Sequence, residues 1–558
     1  TSTSGSEAAA RAALDQLATR FDAEYGGFGE QPKFPTPSNL ALLAHFAGDP
    51  AADRMLGTTL DRMARGGLYD QVGGGFHRYA TDRAWRVPHF EKMLYDNGAL
   101  LELYADWHTR HEDAQSARVL RQTAAFLARE MTSPDGGLYS AIDAETDARE
   151  GAFYIWRPDA LRAALDADEH AWAASILGFD EPPSFRDPHA TDEPPTYILH
   201  LPRPLAEVAG DAPVKAIERR LDAIRTTLLA TRSERPRPLT DDKVLTDWNG
   251  LAIAGLADAG RVLGDATMVG QAERAARFVL DHLRPEGRPL QHVWRRGEAR
   301  IDAFLADYAY LVHGLLALDR ATGDARWLRV AIQLTDEQVT RLWDAEGGGF
   351  YVATVDPDLL ARSKDPSDGA RPSANGIALS NLLTLADRTG DARWSSYAVG
   401  IVSAFSRELA EMPAGHTTLA RGVARLASRS PTSAIDRLRA ESRSKVAAVA
   451  RWTGAGDLAV ELSVADGWHV NANPASDELF VPTTLTGDAP TLVEIDYPEG
   501  RRFDASYADT PILVYSGSVV LNADVRAPTA GTVRLRVQPC DAQRCLEPVT
   551  LDVVVPAP

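Results

Sequence analysis

Cysteine is almost absent from this chain of 558 residues, which contains only Cys540 and Cys545. The spacing of these two residues, with four others between them, is too short for a zinc quartet, and no other cysteine exists to complete one. Long apolar runs are missing too, since none approaches the roughly 18 residues that a membrane-spanning helix requires. We therefore expect neither a cysteine-based zinc site nor a transmembrane segment.

Positive charge is also scarce. The chain has 59 Lys and Arg residues against 78 Asp and Glu residues, a formal net charge of -19, and no basic block compensates locally. Such a surface repels a phosphate backbone, so nucleic acid is not an expected partner. The opening residues, TSTSGSEAAA, have neither the basic nor the apolar region of a signal peptide, although a cleaved one would leave no trace.

Most of the chain has a helical pattern. Over residues 6–427, apolar residues recur at three- and four-residue spacing, as in AAARAALDQLATRF, which is typical of amphipathic helices. Helices repeatedly end at a Gly-Asp turn before another helix begins, as in DRATGDARWLRVA. Gly264, Gly323 and Gly390 mark such turns at intervals of about sixty residues, the length of two helices and their loops. The pattern predicts helical hairpins.

Six hairpins would close into a ring. The region Arg157 to Arg232 is long enough for a sixth, diverged copy. The returning loops carry paired glycines followed by aromatics, as in YGGFG, GGLYD, GGGFHRY, GGLYS, EGAFYIW and GGGFYVA. These predict tight turns into short strands that form an aromatic rim at one mouth, although any single copy could simply close a loop. We therefore predict a mainly α fold, with an (α/α)6 barrel over residues 1–428.

The pattern changes after the barrel. Residues 429–444 are polar and weakly helical, which predicts a linker. Over residues 445–558, short alternating runs such as LAVELSV, TVRLRVQ and VTLDVVV predict a small immunoglobulin-like β-sandwich. Both cysteines lie near its end, in VQPCDAQRCLEP. They are interpreted as a redox-active dithiol or a structural disulfide, and either favours an oxidising compartment.

The helical region resembles a known family. The segments GGFGEQPKFP, GGLYDQVGGGFHRYATD, VPHFEKMLYDN, SAIDAETD, EGAFYIW and DDKVLTDWNGL follow one another as in the YyaL-like family, which includes the spermatogenesis-associated thioredoxin-domain proteins. This resemblance covers roughly the first 425 residues. It implies a six-hairpin glycosidase-like domain similar to the N-acylglucosamine and cellobiose 2-epimerases. The thioredoxin-like domain with which relatives usually begin is not in this sequence, and Asp247 and the segment 373–376 depart from the usual family residues.

The tail carries a second resemblance. GWHVNANP, YSGSVVLNADV and QPCDAQRCLEP are similar to segments of the amino-terminal domain of DsbD, a thiol:disulfide interchange protein. This implies a thiol–disulfide module in an extracytoplasmic or periplasmic location, with a thioredoxin-like redox partner. The barrel's relatives look cytosolic, which makes a cytoplasmic location the alternative.

Ionisable and aromatic residues are concentrated over residues 66–97, a mixture that suits the wall of a sugar-sized pocket. A helix predicted to start near Pro88 would place His89, Lys92 and Asp96 at i, i+3 and i+7 on one face. A general acid or base and a cation would then point the same way. The candidate catalytic residues are His77, His89, Glu91, Asp96, Asp143 and Glu145.

Further residues are candidates for substrate binding. Trp248 followed by Asn249 resembles a stacking surface with a hydrogen-bonding partner, whereas Asp242 and Asn375 could equally be helix N-caps. Asp143 has a similar alternative as a loop cap. The candidate substrate-binding residues are Arg78, Trp85, Lys92, Tyr95, Tyr154, Trp156, Asp242, Trp248, Asn249, Asp307, Tyr308 and Asn375.

Three functions fit these residues. A sugar 2-epimerase or aldose–ketose isomerase would move a proton with His77 and His89, and the family resemblance favours this function slightly. A glycoside hydrolase would use paired carboxylates among Asp96, Asp143 and Glu145. A third possibility is a non-catalytic sugar-binding or scaffold barrel, with the activity in the cysteine pair. The expected ligand is a small saccharide, and no cofactor is expected because no phosphate loop or metal cluster appears.

Overall fold

The computed structural model describes residues 8–558 apart from 187–193, 356–360, 430–440, 477–479 and positions 506, 509, 543 and 547. The α-helices within these ranges are α1 (Ala8–Arg20), α2 (Pro37–His45), α3 (Pro50–Arg65), α4 (Leu94–His111), α5 (Ala114–Phe126), α6 (Pro158–Ala164), α7 (Ala167–Leu177), α8 (Leu205–Ala209), α9 (Val214–Ser233), α10 (Thr246–Leu263), α11 (Ala266–His282), α12 (Leu305–Thr322), α13 (Ala325–Leu342), α14 (Ala374–Thr389), α15 (Ala392–Ala404), α16 (Ser406–Glu411) and α17 (Thr417–Arg429).

Short strands lie in the barrel's loops, and longer ones form the C-terminal domain. The loop strands are β1 (Tyr79–Ala80), β2 (Pro88–His89), β3 (Lys92–Met93), β4 (Ala141–Ile142), β5 (Glu145–Thr146), β6 (Arg149–Glu150), β7 (Thr240–Asp241), β8 (Val244–Leu245), β9 (Gln291–Arg295) and β10 (Glu298–Asp302). The C-terminal strands are β11 (Val446–Trp452), β12 (Asp457–Val464), β13 (His469–Asn471), β14 (Thr484–Ala489), β15 (Leu492–Asp496), β16 (Arg501–Phe503), β17 (Ile512–Tyr515), β18 (Ser518–Val525), β19 (Gly531–Val537), β20 (Pro539–Cys540) and β21 (Val549–Val555).

Six inner helices form a closed ring. Each contacts the next and the last contacts the first, in the order α2, α4, α10, α12, α14, α17. Each also packs against an outer helix. Five outer helices follow their inner partners in sequence, namely α3, α5, α11, α13 and α15, whereas α1 packs against α17. The predicted (α/α)6 barrel is confirmed, and its sixth hairpin joins the first and last helices of the barrel.

The Gly-Asp turns that marked the hairpins have a clear physical role. Gly264 ends α10 in the left-handed region, with φ 64°, which glycine adopts without the strain of a Cβ. The Asp265 side chain then accepts hydrogen bonds from the first backbone N–H groups of α11, as an N-cap does. The same pair recurs at Gly323–Asp324 and Gly390–Asp391.

The predicted sixth hairpin over residues 157–232 was wrong. α4 contacts α10 directly in the ring, so the helices α6 to α9 between them lie outside it. They enclose an apolar cluster of their own around Leu161, Leu177 and Leu228. Helical periodicity shows which face of a helix is buried, but it does not show which core that face joins.

Aspartate–lysine pairs close three of the described glycine loops in the same way. Asp70 Oδ1 accepts hydrogen bonds from the backbone N–H groups of Val72 and Gly73 at 3.1 and 2.9 Å. Lys92 Nζ lies 2.8 Å from Asp70 Oδ2 and also donates to the Gly74 carbonyl at 2.8 Å. We call this arrangement the aspartate–lysine staple. It recurs in Asp22–Lys33 around Gly26 and in Asp344–Lys364 around Gly348.

Asparagines at the start of three inner helices hold the neighbouring loops. Asn97 accepts a hydrogen bond from the Phe76 N–H at 2.7 Å and donates to the Phe76 carbonyl at 3.0 Å. Asn249 makes the same pair of bonds to Leu138, and Asn375 makes it to the loop before α14. A carboxamide carries an acceptor and a donor side by side, so it can make the pair of backbone hydrogen bonds that a neighbouring strand would otherwise make.

Several of the loop aromatics predicted to form a rim lie in the main core instead. Phe28, Phe76 and Phe350 expose 9%, 0% and 0% of their surface and belong to the main core. Phe76, for example, packs between Tyr69 and Tyr104. Burying a large aromatic ring stabilises the fold, and these rings fix the loops to the helices.

The predicted C-terminal β-sandwich is confirmed. Its sheets have the strand orders β11-β12-β18-β15, β14-β19-β21 and β16-β17-β13-β20. Alternate residues of each long strand are buried, as at Val533, Leu535 and Val537 of β19, because successive side chains of a strand face opposite sides. Most of the predicted linker lies outside the described residues. Within the described ranges, none of the helices combines the length and apolar character that crossing a bilayer requires.

The staples differ in burial, which gives a stability prediction. Lys92 and Asp70 expose 1% and 5% of their side chains, whereas Lys364 and Asp344 expose 23% and 14%. Arg232 also pairs with Asp70 at 2.8 Å, so Lys92→Met removes one of two buried counter-ions and a charged hydrogen bond, and it should lower the unfolding free energy by about 2 kcal/mol. Lys364→Met should cost about 1 kcal/mol. Urea unfolding followed by tryptophan fluorescence measures both, and equal losses would contradict this account.

Candidate active site

The candidate site lies at the end of the barrel where the inner helices begin. The first turn of α4 carries Tyr95 and Asp96, and that of α10 carries Asp247 and Trp248. The first turn of α12 carries Asp307. Strand β9, which pairs with β8 just before α10, contributes His292. The stapled loops and the first helical turns therefore position these side chains together.

Asp247, His292 and Asp307 form the polar centre of the site, which we call the Asp–His–Asp centre. One ligand atom of each lies within 4.8 Å of the others. His292 Nδ1 is 2.9 and 3.0 Å from the two carboxylate oxygens of Asp307. Asp307 also accepts hydrogen bonds from the N–H groups of Phe304, at 2.8 Å, and Asp247, at 3.1 Å. These bonds fix the Asp307 carboxylate in place.

The two carboxyl groups of this centre interact electrostatically. Burial and the charge of Asp307 raise the pKa of Asp247 to about 7, although Arg371, whose guanidinium contacts Asp247, opposes the rise. Burial alone would lower the pKa of His292, but the hydrogen bond and charge of Asp307 outweigh it and raise this pKa. Near neutral pH the centre therefore holds ionisable groups that can both give and take protons.

His292 is the member of the centre that faces outward. Its side chain is 23% exposed, against 0% for Asp307 and 2% for Asp247. Its Nδ1 is held by Asp307, and within the described residues its Nε2 has no hydrogen-bond partner. A carboxylate on Nδ1 orients the ring, so Nε2 is the atom presented to a ligand.

Aromatic and cationic side chains flank the centre. The Tyr95 ring meets Trp248 edge to face at 4.8 Å, and Trp248 is half-buried. An aromatic face with polar neighbours suits the apolar side of a sugar ring. Burial and Asp96 raise the pKa of Tyr95 to about 12, while the nearby guanidiniums of Arg78 and Arg371 act in the other direction.

Asp96 is a buried carboxyl group with one oxygen left unpaired. It exposes 4% of its surface, and its Oδ2 has no hydrogen-bond partner in the described part of the chain. Burial, aided by Glu91, raises the pKa of Asp96 well above its usual value despite Arg78. Arg78 is itself paired with Glu91 at 3.0 Å. Asp96 is therefore a buried carboxyl group with a raised pKa beside the site.

The helix predicted to start near residue 88 was placed too early. α4 begins at Leu94, and the preceding residues form the short strands β2 and β3. His89 therefore lies at the rim, with Nδ1 2.8 Å from Glu150 Oε1 and Nε2 3.3 Å from Glu91 Oε2. Lys92 instead points into the core as part of the staple. The predicted common face of His89, Lys92 and Asp96 does not exist.

His77 lies away from the site. Its side chain is buried, its Nδ1 is 2.9 Å from the Phe90 carbonyl, and its ring meets Tyr154 edge to face. Burial and the positive charge of Lys92 lower the pKa of His77 to about 3. An imidazole that stays neutral and enclosed cannot exchange protons with a sugar near neutral pH.

The remaining predicted residues are buried in a core, hold a loop in place or lie on the surface. Trp85 donates to the Tyr25 carbonyl, and Tyr308 donates to Glu337 at 2.6 Å. Asp143 and Glu145 are exposed neighbours in one loop. The side chains buried in cores or holding loops are Trp85, Lys92, Tyr154, Trp156, Asn249, Tyr308 and Asn375. Asp242 pairs with Arg295 at the surface.

Sequence reasoning missed Asp247, His292 and Arg371 as site residues. Asp247 stood out only as a departure from the usual family residue. His292 has no motif of its own, since it is one polar residue in a short strand. Arg371 reaches Asp247 across 124 residues of sequence, a contact that no local pattern reveals.

The disulfide lies at the edge of the sandwich. Cys540 and Cys545 are bonded, with Cα atoms 4.0 Å apart. Cys540 is buried and Cys545 half-buried. His469 lies opposite Cys540 in the β13–β20 pair, and burial lowers the pKa of His469 to about 4.

Comparisons with known proteins identify relatives of parts of this chain. Human Spermatogenesis-associated protein 20 is 33% identical over 447 residues, which are 74% of this chain and 57% of that protein. Over these residues the chain is a homologue of Spermatogenesis-associated protein 20. The predicted resemblance is thereby confirmed, and the chain spans little more than half the length of this curated relative. Residues 438–556 match the family model described as thiol:disulfide interchange protein DsbD, N-terminal.

Solved structures with related folds are more distant. A D-mannose isomerase is 9% identical, with an alignment that covers 72% of the present chain and 83% of the isomerase chain and a TM-score of 0.46. The GH76 α-mannanase BT2949 of Bacteroides thetaiotaomicron is 10% identical, with coverages of 76% and 97% and a TM-score of 0.46. These likenesses are too distant to assign a reaction.

The raised pKa of Asp247 predicts a pH-dependent stability. The folded carboxyl titrates at about 7, against 3.8 for the free side chain. Folding therefore takes up a proton between these values, and stability falls as the pH rises through this window. Asp247→Asn cannot ionise, so its melting temperature relative to the parent chain should be higher near pH 8 than near about pH 4. The surface variant Asp242→Asn should show no such trend. If the difference in melting temperature between Asp247→Asn and the parent chain is the same at all pH values, the raised pKa of Asp247 is refuted.

Proposed function

We propose that the barrel is a carbohydrate-active acid–base catalyst, a sugar isomerase or 2-epimerase acting on a small saccharide. The supporting observation is the His292–Asp307 pair, which leaves Nε2 of an oriented imidazole facing outward beside a second acid, Asp247. The half-buried Trp248 and the nearby Arg371 supply a stacking face and a cation. This keeps the function favoured by the sequence but assigns it to different residues.

The chemistry is a reversible proton transfer next to a carbonyl. His292 Nε2 takes the proton from the carbon beside the carbonyl, and the C–H electron pair becomes the double bond of an enediol. Asp247, protonated up to a pH of about 7, gives its proton to the carbonyl oxygen. In isomerisation the carbon-bound proton returns to the former carbonyl carbon, while Asp247 takes up the hydroxyl proton of the neighbouring carbon, whose oxygen becomes the new carbonyl. In epimerisation a proton returns to the opposite face of the original carbon, while Asp247 takes back the proton that it gave to the carbonyl oxygen.

Hydrolysis is supported less well by the geometry. The two carboxyl groups of a glycosidase flank the bond, about 5–5.5 Å apart in retaining enzymes and further apart in inverting ones. Here Asp247 and Asp307 have carboxylate oxygens within 4.8 Å, and a hydrogen bond from Asp247 N–H fixes Asp307 beside it. They form one coupled unit rather than two groups on opposite sides of a substrate.

Two carboxylates and an imidazole are also a possible ligand set for a divalent cation. The Arg371 guanidinium contacts Asp247, however, and a cation there would compete with it. This arrangement favours proton transfer over metal binding. Activity should therefore survive treatment with a chelator.

Deuterium exchange tests the proposed reaction. Proton NMR of a panel of mono- and disaccharides in deuterated buffer should show deuterium entering at C2 when the chain is present. His292→Ala should slow this exchange by about 100-fold or more, the size of a general-base contribution, whereas the exposed His111→Ala on α4 should not change it. New reducing ends without exchange would favour hydrolysis, and exchange unaffected in His292→Ala would remove the proposed base.

We propose a second, separate function for the sandwich, thiol–disulfide exchange with a thioredoxin-like partner in an extracytoplasmic compartment. The match to the DsbD N-terminal family model supports it. So does the unequal burial of the two residues, Cys540 buried and Cys545 half-buried, because a partner thiolate attacks the more accessible cysteine of a disulfide. On attack at Cys545 the disulfide electrons leave on Cys540, and a second partner thiolate resolves the mixed disulfide, which oxidises the partner.

Replacing both cysteines by serine tests this function. The double variant Cys540→Ser, Cys545→Ser should lose exchange with a reduced thioredoxin, because no disulfide remains to accept its electrons. Sugar turnover should stay unchanged, because the barrel site contains neither residue. The measurement is thiol titration after incubation with the partner. A parent chain that keeps its disulfide intact throughout would mean that the bond is structural.

A further inference from the structure

A cavity of about 500 Å³ lies inside the barrel between the inner helices. Glu102, which lines it, follows Asp96 by six residues on α4, so it lies about 9 Å further along the helix axis. The cavity continues to the last turns of α10 and α12, where Arg261 and Arg320 reach the surface. Its size is that of a small-molecule site. The cavity therefore runs along the inner helices from Leu251, one turn beyond Asp247, and Asp247, His292 and Asp307 do not line it.

The two ends of this cavity differ in chemistry. Near the starts of the inner helices it is lined by the apolar residues Ala99, Leu251 and Ile377. Ionisable residues line the deeper part. These are Glu102, Asp106, Asp258, Arg261, His313, Arg320 and Arg421, with His45 at the end of α2.

The acids of the deeper part already have partners. Glu102 pairs with His313 at 3.0 Å, and Asp258 pairs with Arg320 at 2.7 Å. Asp106 pairs with a cation of its own helix at 2.9 Å. These pairs leave little uncompensated negative charge.

Arg421 is the side chain without such a partner. Within the described residues it makes no hydrogen bond or ion pair, yet it lines both this cavity and an adjoining one of about 300 Å³. Burial would raise the pKa of Glu102, but His313, Arg421 and Arg320 outweigh it and lower the pKa to about 2. These cations therefore stabilise an anionic group beside Arg421, whose guanidinium has no ion-pair partner within the described residues and is available to an anion.

We propose that this cavity binds a small organic oxyanion. Its carboxylate or phosphate pairs with Arg421, because a guanidinium matches the geometry of both groups. Its body lies against Ala99, Leu251 and Ile377. This site is distinct from the Asp–His–Asp centre and does not depend on the reaction proposed there.

Isothermal titration calorimetry of the whole chain tests the proposal. The probes are glucuronate and citrate as carboxylates, glucose 6-phosphate and inorganic phosphate as phosphates, and glucose as the neutral control, at constant ionic strength. At least one oxyanion should bind saturably while glucose does not. The arms distinguish a carboxylate site from a phosphate site.

Matched variants place the binding at Arg421. Arg421→Gln should weaken it by about tenfold or more, the expected loss for a charged hydrogen bond. Arg429→Gln, on the same helix but paired with Asp387 at 2.6 Å, should bind like the parent chain, and so should His292→Ala. The proposal is overturned if none of the oxyanions binds, if Arg421→Gln binds as tightly as the parent chain, or if His292→Ala abolishes binding.

Discussion

A carboxylate that is buried away from water must obtain hydrogen bonds and a counter-charge from the protein. Three glycine loops of this barrel supply both to an aspartate in the same way. In each, one oxygen of an aspartate caps the turn and the other meets a lysine that also binds a glycine carbonyl. The staple thus fixes the loop against its own backbone. Tyr95 and Asp96 of the candidate site directly follow the loop that Asp70 and Lys92 hold, and Asn249, which holds the backbone of Leu138, lies two residues after Asp247.

The same principle separates structural from functional polar residues. Lys92 and Asn249 have partners for their donors and acceptors, and they hold the backbone. Asp96, Asp247 and His292 are not fully satisfied in the same way. Within the described residues, Oδ2 of Asp96 and Nε2 of His292 have no hydrogen-bond partner, and the carboxyl group of Asp247 lies beside a second carboxyl group. Buried groups left incomplete destabilise a fold, so their presence at one end of the barrel favours a function there.

Much of the architecture followed from sequence, because its signals are local. Helical periodicity and the Gly-Asp caps depend on residues a few positions apart, as at Gly264 and Asp265. The site was harder to predict. Lys92 has the residue type of a ligand-binding group, and only its contact with Asp70 shows its structural role. His292 and Arg371 meet Asp247 through the closure of the barrel, which links residues far apart in the chain.

The central claim is that His292, oriented by Asp307, is a proton-transfer group coupled to Asp247. A titration of the ¹⁵N-labelled His292 ring by NMR tests it most directly. The account predicts a pKa of His292 above that of a free histidine, a proton held on Nδ1 throughout, and a second inflection near 7 from Asp247. In Asp307→Asn the pKa of His292 should fall. A pKa at or below the ordinary value in the parent chain, unchanged in Asp307→Asn, would contradict the account.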